Sequence, residues 1–446
     1  MRKLKYRVSY TKMIVAGFAA LILFGTFLLT LPVASRSGEG MPYIDALFTA
    51  TSATCVTGLI IADTYTNWTV FGQLVILSLI QIGGLGFITI GVYVAVLFKK
   101  RIGLKGREAI HESVSTIDTG GVVRLTKKII QGTLLFELAG ALLLSIRFIP
   151  RLGIIKGLYF GVFHSISAFC NAGFDLMGNW EQYASFTGYE GDVLINAVIM
   201  LLIVIGGLGF IVWDDVQRNK WHFRRYLLHT KVVLFATTVL IFGGAALFLI
   251  FEHNNLFAGM NLREQILGAL FSSVTARTAG FNTVDTAALT PASKLLTIIL
   301  MFIGGSPGST AGGIKTTTIV VMLIVATSMI KQSYDTNIFG RRLNEDAIRK
   351  ASTVFCINLV LALSAVMVIL AIQPFSMSDV MFEVFSAIGT VGMSTGITRD
   401  LTSISKLVII LLMFTGRLGS LSFALVFSQK KYTAPIQCPQ EKMIVG

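Results

Sequence analysis

Charge is what this chain has least of. Only 13% of its 446 residues are charged, while 54% are hydrophobic. A soluble domain needs far more polar surface, so the composition excludes one and leaves an integral membrane protein. Cysteine is also scarce. Four residues cannot make a disulfide framework, and reduced thiols are expected, with Cys438 suited to a reducing cytosol. Catalytic patterns are missing: no H-E-x-x-H, no Cys/His metal spacing, no nucleophile elbow and no converging pair of catalytic groups. That argues against the rival reading of a membrane-embedded enzyme, which needs paired catalytic groups at one depth. Gly308 to Lys315 has the outline of a phosphate-binding loop, but Ile314 separates glycine from lysine and no strand precedes it. Asn67-Trp68-Thr69 matches a glycosylation acceptor by chance and carries no weight.

What the chain does have is a small-residue segment used four times. Written as twelve residues ending in glycine, the copies are LFTATSATCVTG ending at Gly58, VFHSISAFCNAG ending at Gly173, ALFSSVTARTAG ending at Gly280 and MFEVFSAIGTVG ending at Gly392. Ser52, Ser167 and Ser386 share the column six before the glycine. Ala53, Ala168 and Ala387 share the next, where the third copy has Thr275. A second landmark follows each copy: IGGLGF from Ile82, IGGLGF from Ile205, IGGSPG from Ile303 and TGRLGS from Thr415. Such a repeat sets the architecture. A helical lead-in this short goes halfway into a bilayer and turns back, and its backbone must then line water or protein. Glycine opens dihedrals that let consecutive carbonyls face one axis, as in a filter that replaces an ion's water shell. The candidate filter residues are Val56, Thr57 and Gly58; Asn171, Ala172 and Gly173; Thr278, Ala279 and Gly280; and Thr390, Val391 and Gly392.

Long apolar runs flank the copies in pairs: 13–31 and 71–98, 129–149 and 193–213, 232–251 and 295–330, 353–372 and 407–427. The predicted fold is an all-α membrane protein of four helix–pore-helix–filter–helix repeats, pseudo-fourfold around a single pore. The repeats span 1–98, 99–215, 216–330 and 331–427, and 428–446 forms a cytoplasmic tail. Asp45, Asn261 with Glu264, and Ser376 to Asp379 give helix-start signals to three lead-ins. Their negative ends point into the pore and favour a cation. Lys and Arg concentrate in the N-terminus, the loops 99–128, 218–231 and 331–350, and the tail. That side is cytoplasmic, so both termini lie inside and the filters open outward. Asp175, Glu181, Glu190 and Asp192 follow the second filter and give either a cation-attracting vestibule or a merely solvated loop.

The third unit departs from the pattern. As one helix, its 295–330 run would be about 54 Å long, against about 30 Å of hydrocarbon. In its middle lie Gly304, Gly305, Ser306, Pro307, Gly308, Ser309, Thr310, Ala311, Gly312 and Gly313, so a break is predicted, placed just below the filter across the conduction path. Arg417 takes the column of Gly84, Gly207 and Gly305 in an apolar helix, where an arginine is costly. It either limits cation passage, pins the 304–313 loop or pairs structurally with buried carbonyls. Lys315 helps gate or only snorkels. Arg277 is expected to point away from the pore and brace its filter, Glu137 to make an interhelical contact and His164 to be a buried pore-helix partner.

The four filter copies, the broken helix and Arg417 together resemble the Trk/Ktr/HKT superfamily of potassium transporters. Length and short termini are similar to the membrane subunit of bacterial Ktr systems. The resemblance implies one chain folded like a four-subunit potassium channel, and a homodimer with one pore per subunit. It also implies a cytosolic ring partner with RCK domains (KtrA or KtrC type) that responds to ATP and ADP. Potassium selectivity maps to Gly58, Gly173, Gly280 and Gly392, the gate to Gly304–Gly313 and the pore arginine to Arg417. Stimulation by Na+ is a family trait with no locus in the sequence. Only Thr390-Val391-Gly392 keeps the opening of an ordinary potassium-channel filter, which implies looser selectivity. The expected function is potassium uptake across the cell membrane; the alternatives are a Na+- or H+-coupled symporter and a less selective monovalent cation channel.

Overall fold

The computed structural model describes residues 10–86, 122–220, 222–333 and 335–420, with positions 89, 423, 439 and 441. The basic N-terminal residues 2–7, most of the 99–128 loop and the 428–446 tail apart from positions 439 and 441 lie outside the described residues.

Among the described residues the regular elements are helices, with one two-residue β-ladder, Asn337–Ile338 against Arg341–Arg342, and an isolated bridge between Ser35 and Trp68. Unit 1 comprises α1 (Tyr10–Thr30), the pore helix α2 (Tyr43–Thr54) and α3 (Val70–Leu85). Unit 2 comprises α4 (Val122–Leu152), the pore helix α5 (Ile154–Phe169), α6 (Val193–Leu208) and α7 (Phe210–Asn219). Unit 3 comprises α8 (Leu228–Glu252), the pore helix α9 (Leu262–Thr275), α10 (Pro291–Ile303) and α11 (Thr316–Ile330). Unit 4 comprises α12 (Glu345–Ile372), the pore helix α13 (Met377–Gly389) and α14 (Ser403–Leu418).

The helix starts follow from their caps. Thr69, Asp192, Thr290 and Thr402 each accept a hydrogen bond from a backbone N–H in the first turn of α3, α6, α10 and α14. Asn261 and Glu264 form a capping box on α9, and Ser376 accepts from Asp379 N on α13.

The second helices differ from the expectation of three unbroken runs and one interrupted run. All four stop at the second landmark. Gly86, Gly209 and Gly419 take φ of 82°, 100° and 85°, and Gly304 takes 57°. A left-handed residue ends an α-helix because its next N–H no longer points along the axis, and glycine reaches that region without a Cβ penalty. After Gly209 the chain resumes as α7, bent 94° from α6. Consequently only α1, α4, α8 and α12 are long and apolar enough to cross a bilayer, or five spans if α6 and α7 count as one, among the described residues.

Each second helix packs on the pore helix of the next unit: α3 on α5, α6 on α9, α10 on α13, and α14 back on α2. Four seams therefore close a ring. Two carry an ion pair, Lys294–Asp379 at 3.3 Å between α10 and α13, and Lys406–Asp45 at 2.6 Å between α14 and α2. At the α3–α5 seam the sign inverts, because α5 has Lys156 in its first turn. Its Nζ donates to Tyr65 Oη at 2.8 Å and to Asn179 Oδ1 at 2.7 Å. Outside the ring, Leu135, Leu138, Phe242, Ile250 and Met367 expose apolar side chains, as a lipid-facing surface requires.

Candidate functional site

The ring is built from the pore-helix ends inward. Each pore helix stops, and the next residues alternate in hand. Val56, Asn171, Thr278 and Thr390 have φ of 50°, 57°, 78° and 50°; two residues on, Gly58, Gly173, Gly280 and Gly392 have φ of 90°, 71°, 82° and 92°. Alternating hand turns successive peptide planes so that their carbonyls face the same way. The glycines adopt this freely. Valine and threonine do not, and each stores roughly 1–2 kcal/mol of strain. The strain is held by bonds to the helix just left. Thr57, Ala172 and Val391 N donate to Ser52, Ser167 and Ser386 O, all at 2.8 Å, and Ala279 N donates to Thr275 O at 2.9 Å. The serine hydroxyls add a second hold. Gly58 N donates to Ser52 Oγ at 3.1 Å and Gly392 N to Ser386 Oγ at 3.0 Å, while Ser167 Oγ donates to Phe174 O at 2.6 Å. In unit 3, Thr275 Oγ1 takes that part toward Phe281 O at 2.6 Å.

The four glycines converge in chain order. A Cβ added to Gly58 would lie 2.5 Å from Ala172 O; to Gly173, 2.7 Å from Ala279 O; to Gly280, 2.5 Å from Val391 O; and to Gly392, 2.1 Å from Thr57 O. Every such distance is to the next unit's backbone, and the fourth returns to the first. No side chain fits at any of the four positions. Thr57 Oγ1 and Thr390 Oγ1 are buried beside the ring with no hydrogen-bond partner among the described residues.

Above the ring opens a cavity of about 570 Å³, with all four glycines on its floor. Asp175, Glu181, Glu190 and Asp285 line it against one base, Arg399. Asp192 turns elsewhere: it caps α6 and pairs with Arg147 at 3.1 Å. Burial pushes the half-buried Asp175 carboxyl up to about 7; a hydrogen bond from Met177 N opposes this, repulsion from Asp63 adds to it, and Ser185 opposes it.

Below the ring lies the 304–313 loop, held by other units. Ser306 N donates to Gly207 O at 3.1 Å, Thr310 N to Gly206 O at 3.2 Å, and Phe210 N to Gly308 O at 2.8 Å. Gly313 N donates to Gly416 O at 3.3 Å on the opposite side. A Cβ on Gly312 would meet Thr390 Oγ1 at 2.1 Å, so the loop touches the underside of the fourth ring segment. Arg417 joins three elements: Nη1 donates to Thr310 O, and Nη2 to Gly83 O and, at 2.8 Å, to Gly84 O. The guanidinium therefore pairs with buried carbonyls and pins the loop through one of them. Lys315 curls onto its own loop, donating to Ala311 O at 2.7 Å. Arg277 reaches α8, where Nη2 donates to Thr237 Oγ1 at 3.4 Å. Glu137 accepts from Gln81 across two units at 3.1 Å.

Four re-entrant segments meeting head to tail inside a bundle of apolar helices define a multi-pass membrane transporter built as one pseudo-fourfold chain. Comparison with known proteins then fixes the family. The TrkH family, described as cation transport protein, matches residues 5–434. The potassium/sodium uptake protein NtpJ of Enterococcus hirae is 42% identical over 100% of this chain and 99% of its own. The Ktr system potassium uptake protein B of Bacillus subtilis is 38% identical over 99% of this chain and 97% of its own. The crystal structure of the potassium transporter TrkH from Vibrio parahaemolyticus superposes with a TM-score of 0.72 at 18% identity, covering 96% of this chain and 87% of that one, and so shares the fold. This chain belongs to the TrkH cation transport family and is a potassium or other cation uptake transporter of the Trk/Ktr type.

Proposed function

We propose that the glycine ring is a filter at which K+ sheds its water, and that the ion then passes a gate made by Gly304–Gly313, Lys315 and Arg417. The observation that carries this reading is the closed ring of left-handed glycines, each against the next unit's carbonyl. Stacked carbonyls facing one axis replace a hydration shell, and the unpartnered hydroxyls of Thr57 and Thr390 add oxygen there. The acidic cavity above would concentrate cations at the outer mouth. Orientation with both termini in the cytoplasm, in the cell membrane, follows the basic-loop bias. By analogy with the Ktr relatives, the transporter works as a homodimer with a cytosolic RCK ring of KtrA or KtrC type that binds ATP or ADP, and Na+ stimulates it.

A second reading is a less selective cation pathway. It is favoured by the NtpJ relative's description as a potassium/sodium protein and by a filter with only one Thr-Val-Gly segment. Reversal potentials in liposomes separate these readings and exclude coupling if they follow the K+ gradient alone.

The gate is tested by deleting Gly305–Gly312. Flux of K+ should rise about fivefold, the scale of a removed barrier near 1 kcal/mol, and should lose its dependence on the ring. Lower flux from a folded, monodisperse variant would overturn the gate assignment.

A further inference from the structure

One further pore-helix column separates the units. Nine residues before each ring glycine stand Thr49, His164, Phe271 and Glu383. All four are buried. Two are ionisable, and they belong to units 2 and 4, which face each other across the ring.

Glu383 reaches the chain just beyond its own filter segment. Its Oε2 accepts from Ser394 Oγ at 2.7 Å and its Oε1 from Thr398 Oγ1 at 2.5 Å. Ser394 and Thr398 both line the cavity above the ring. Ser394 Oγ also accepts from Gly396 N at 2.9 Å, and Ser394 O accepts from Thr286 Oγ1 of unit 3 at 2.6 Å. One buried carboxylate thus orders the outer end of segment 4 and, through Thr286, ties it to unit 3.

His164 does the same in unit 2 with other chemistry. Leu176 N donates to its Nε2 at 3.0 Å, so the ring proton sits on Nδ1, 2.7 Å from Phe160 O. In unit 1 the Thr49 hydroxyl is spent on Asp45 O within its own helix, at 2.9 Å. Phe271 offers no polar atom.

We infer that Glu383, with His164 as its diagonal counterpart, is a positioning residue that fixes the outer end of the ring and thereby sets the preference for K+ over Na+. The inference rests on reading the ring as the filter. Carbonyls discriminate only while their spacing and number are maintained against a smaller ion. Two hydrogen bonds from Ser394 and Thr398 to one buried carboxyl group hold the segment, so their loss frees it to close around Na+.

The test uses the full chain in liposomes and reads Na+ inhibition of K+ uptake beside uptake without Na+. Glu383→Ala should lower the K+ preference about fivefold while K+ flux alone stays within about twofold. Glu383→Gln, which keeps the shape and one acceptor oxygen, should recover part of it. Thr49→Ala, in the same column, should leave it unchanged. Where Glu383→Ala does not fold, Ser394→Ala removes one of the two bonds to Glu383, together with the acceptor for Gly396 N and Thr398 Oγ1, and should shift the preference in the same direction. Wild-type preference in folded Glu383→Ala or Ser394→Ala overturns the inference. Gly392→Ser gauges the underlying reading. If it shifts the preference and the Glu383 and Ser394 variants do not, only the positioning role fails; if it too leaves the preference intact, the filter assignment fails.

Discussion

The glycine ring and the loop beneath it are both irregular backbone inside a membrane bundle, yet the ring is held mainly by its own pore helices and the loop mainly by other units. Each ring segment is tied to its own pore helix, by the backbone bond to Ser52, Thr275, Ser167 or Ser386 and by the hydroxyl in that column or the next. The pattern occurs four times. The loop occurs once, and its partners at Gly206, Gly207, Gly416 and Arg417 belong to other units. A segment tied to its own helix moves only if that helix moves. A loop tied to neighbours is released when the neighbours shift, and rigid-body shifts of packed helices are a common switching motion. The contrast supports the proposal that selectivity lies in the ring and flux control in the loop.

The largest expected effect comes from disturbing the ring. At Gly392 a Cβ would lie 2.1 Å from Thr57 O and 2.8 Å from Gly58 Cα, both backbone atoms, at φ of 92°. Gly392→Ser must therefore push segments 4 and 1 apart. The K+ over Na+ ratio should fall by about tenfold or more, since a tenfold change needs only about 1.4 kcal/mol and such a clash exceeds it. Sodium inhibition of potassium uptake measures it; an unaltered ratio would break the contrast at its upper half.

A smaller effect, of different kind, is expected from the loop's anchor. Arg417→Gln removes the charge that binds the Thr310, Gly83 and Gly84 carbonyls and leaves a neutral amide donor two atoms shorter. Charge-assisted bonds are worth roughly twice neutral ones, so flux should rise about fivefold. The ion ratio should stay fixed. A shifted ratio at unchanged flux would mean that Arg417 serves the ring and not the loop.

Much of this arrangement is legible in the sequence because repetition supplies an internal comparison. The four glycines, the serine column and the Gly304–Gly313 interruption stand out by aligning the copies alone. The caps at Asn261, Ser376 and Asp379 are local chemistry and read directly. The breaks at Gly86, Gly209 and Gly419 escaped, although these glycines share one column, because an apolar run conceals a change of backbone hand. Left-handed Val56, Thr278 and Thr390 have no sequence signal, since β-branched residues avoid that region and tertiary structure imposes it. Arg417 was conspicuous as a charge, but its three carbonyl partners come from distant chain segments that only folding unites. Glu383 and His164 share a column that is informative only once their partners beyond the ring are known.

The smallest expected effect lies above both regions and leaves both intact. Asp175 shares the cavity with the ring glycines, and its carboxyl titrates near 7, so it carries a proton below that pH and a negative charge above it. Raising pH from about 6 to about 8 therefore makes the vestibule more attractive to cations, and the sign follows directly: uptake at limiting K+ should rise, by about twofold at low ionic strength. High salt should abolish the increase, because charges farther apart than about 10 Å are screened at 0.1 M. Asp175→Asn should flatten this step in the pH profile and leave the ion ratio untouched, since the charge alters how many ions arrive and not how the ring chooses among them. A ratio that moved with pH in parallel with uptake would show the vestibule and the ring to be one device, and the division of labour between ring and loop would have to be redrawn to include the cavity above them.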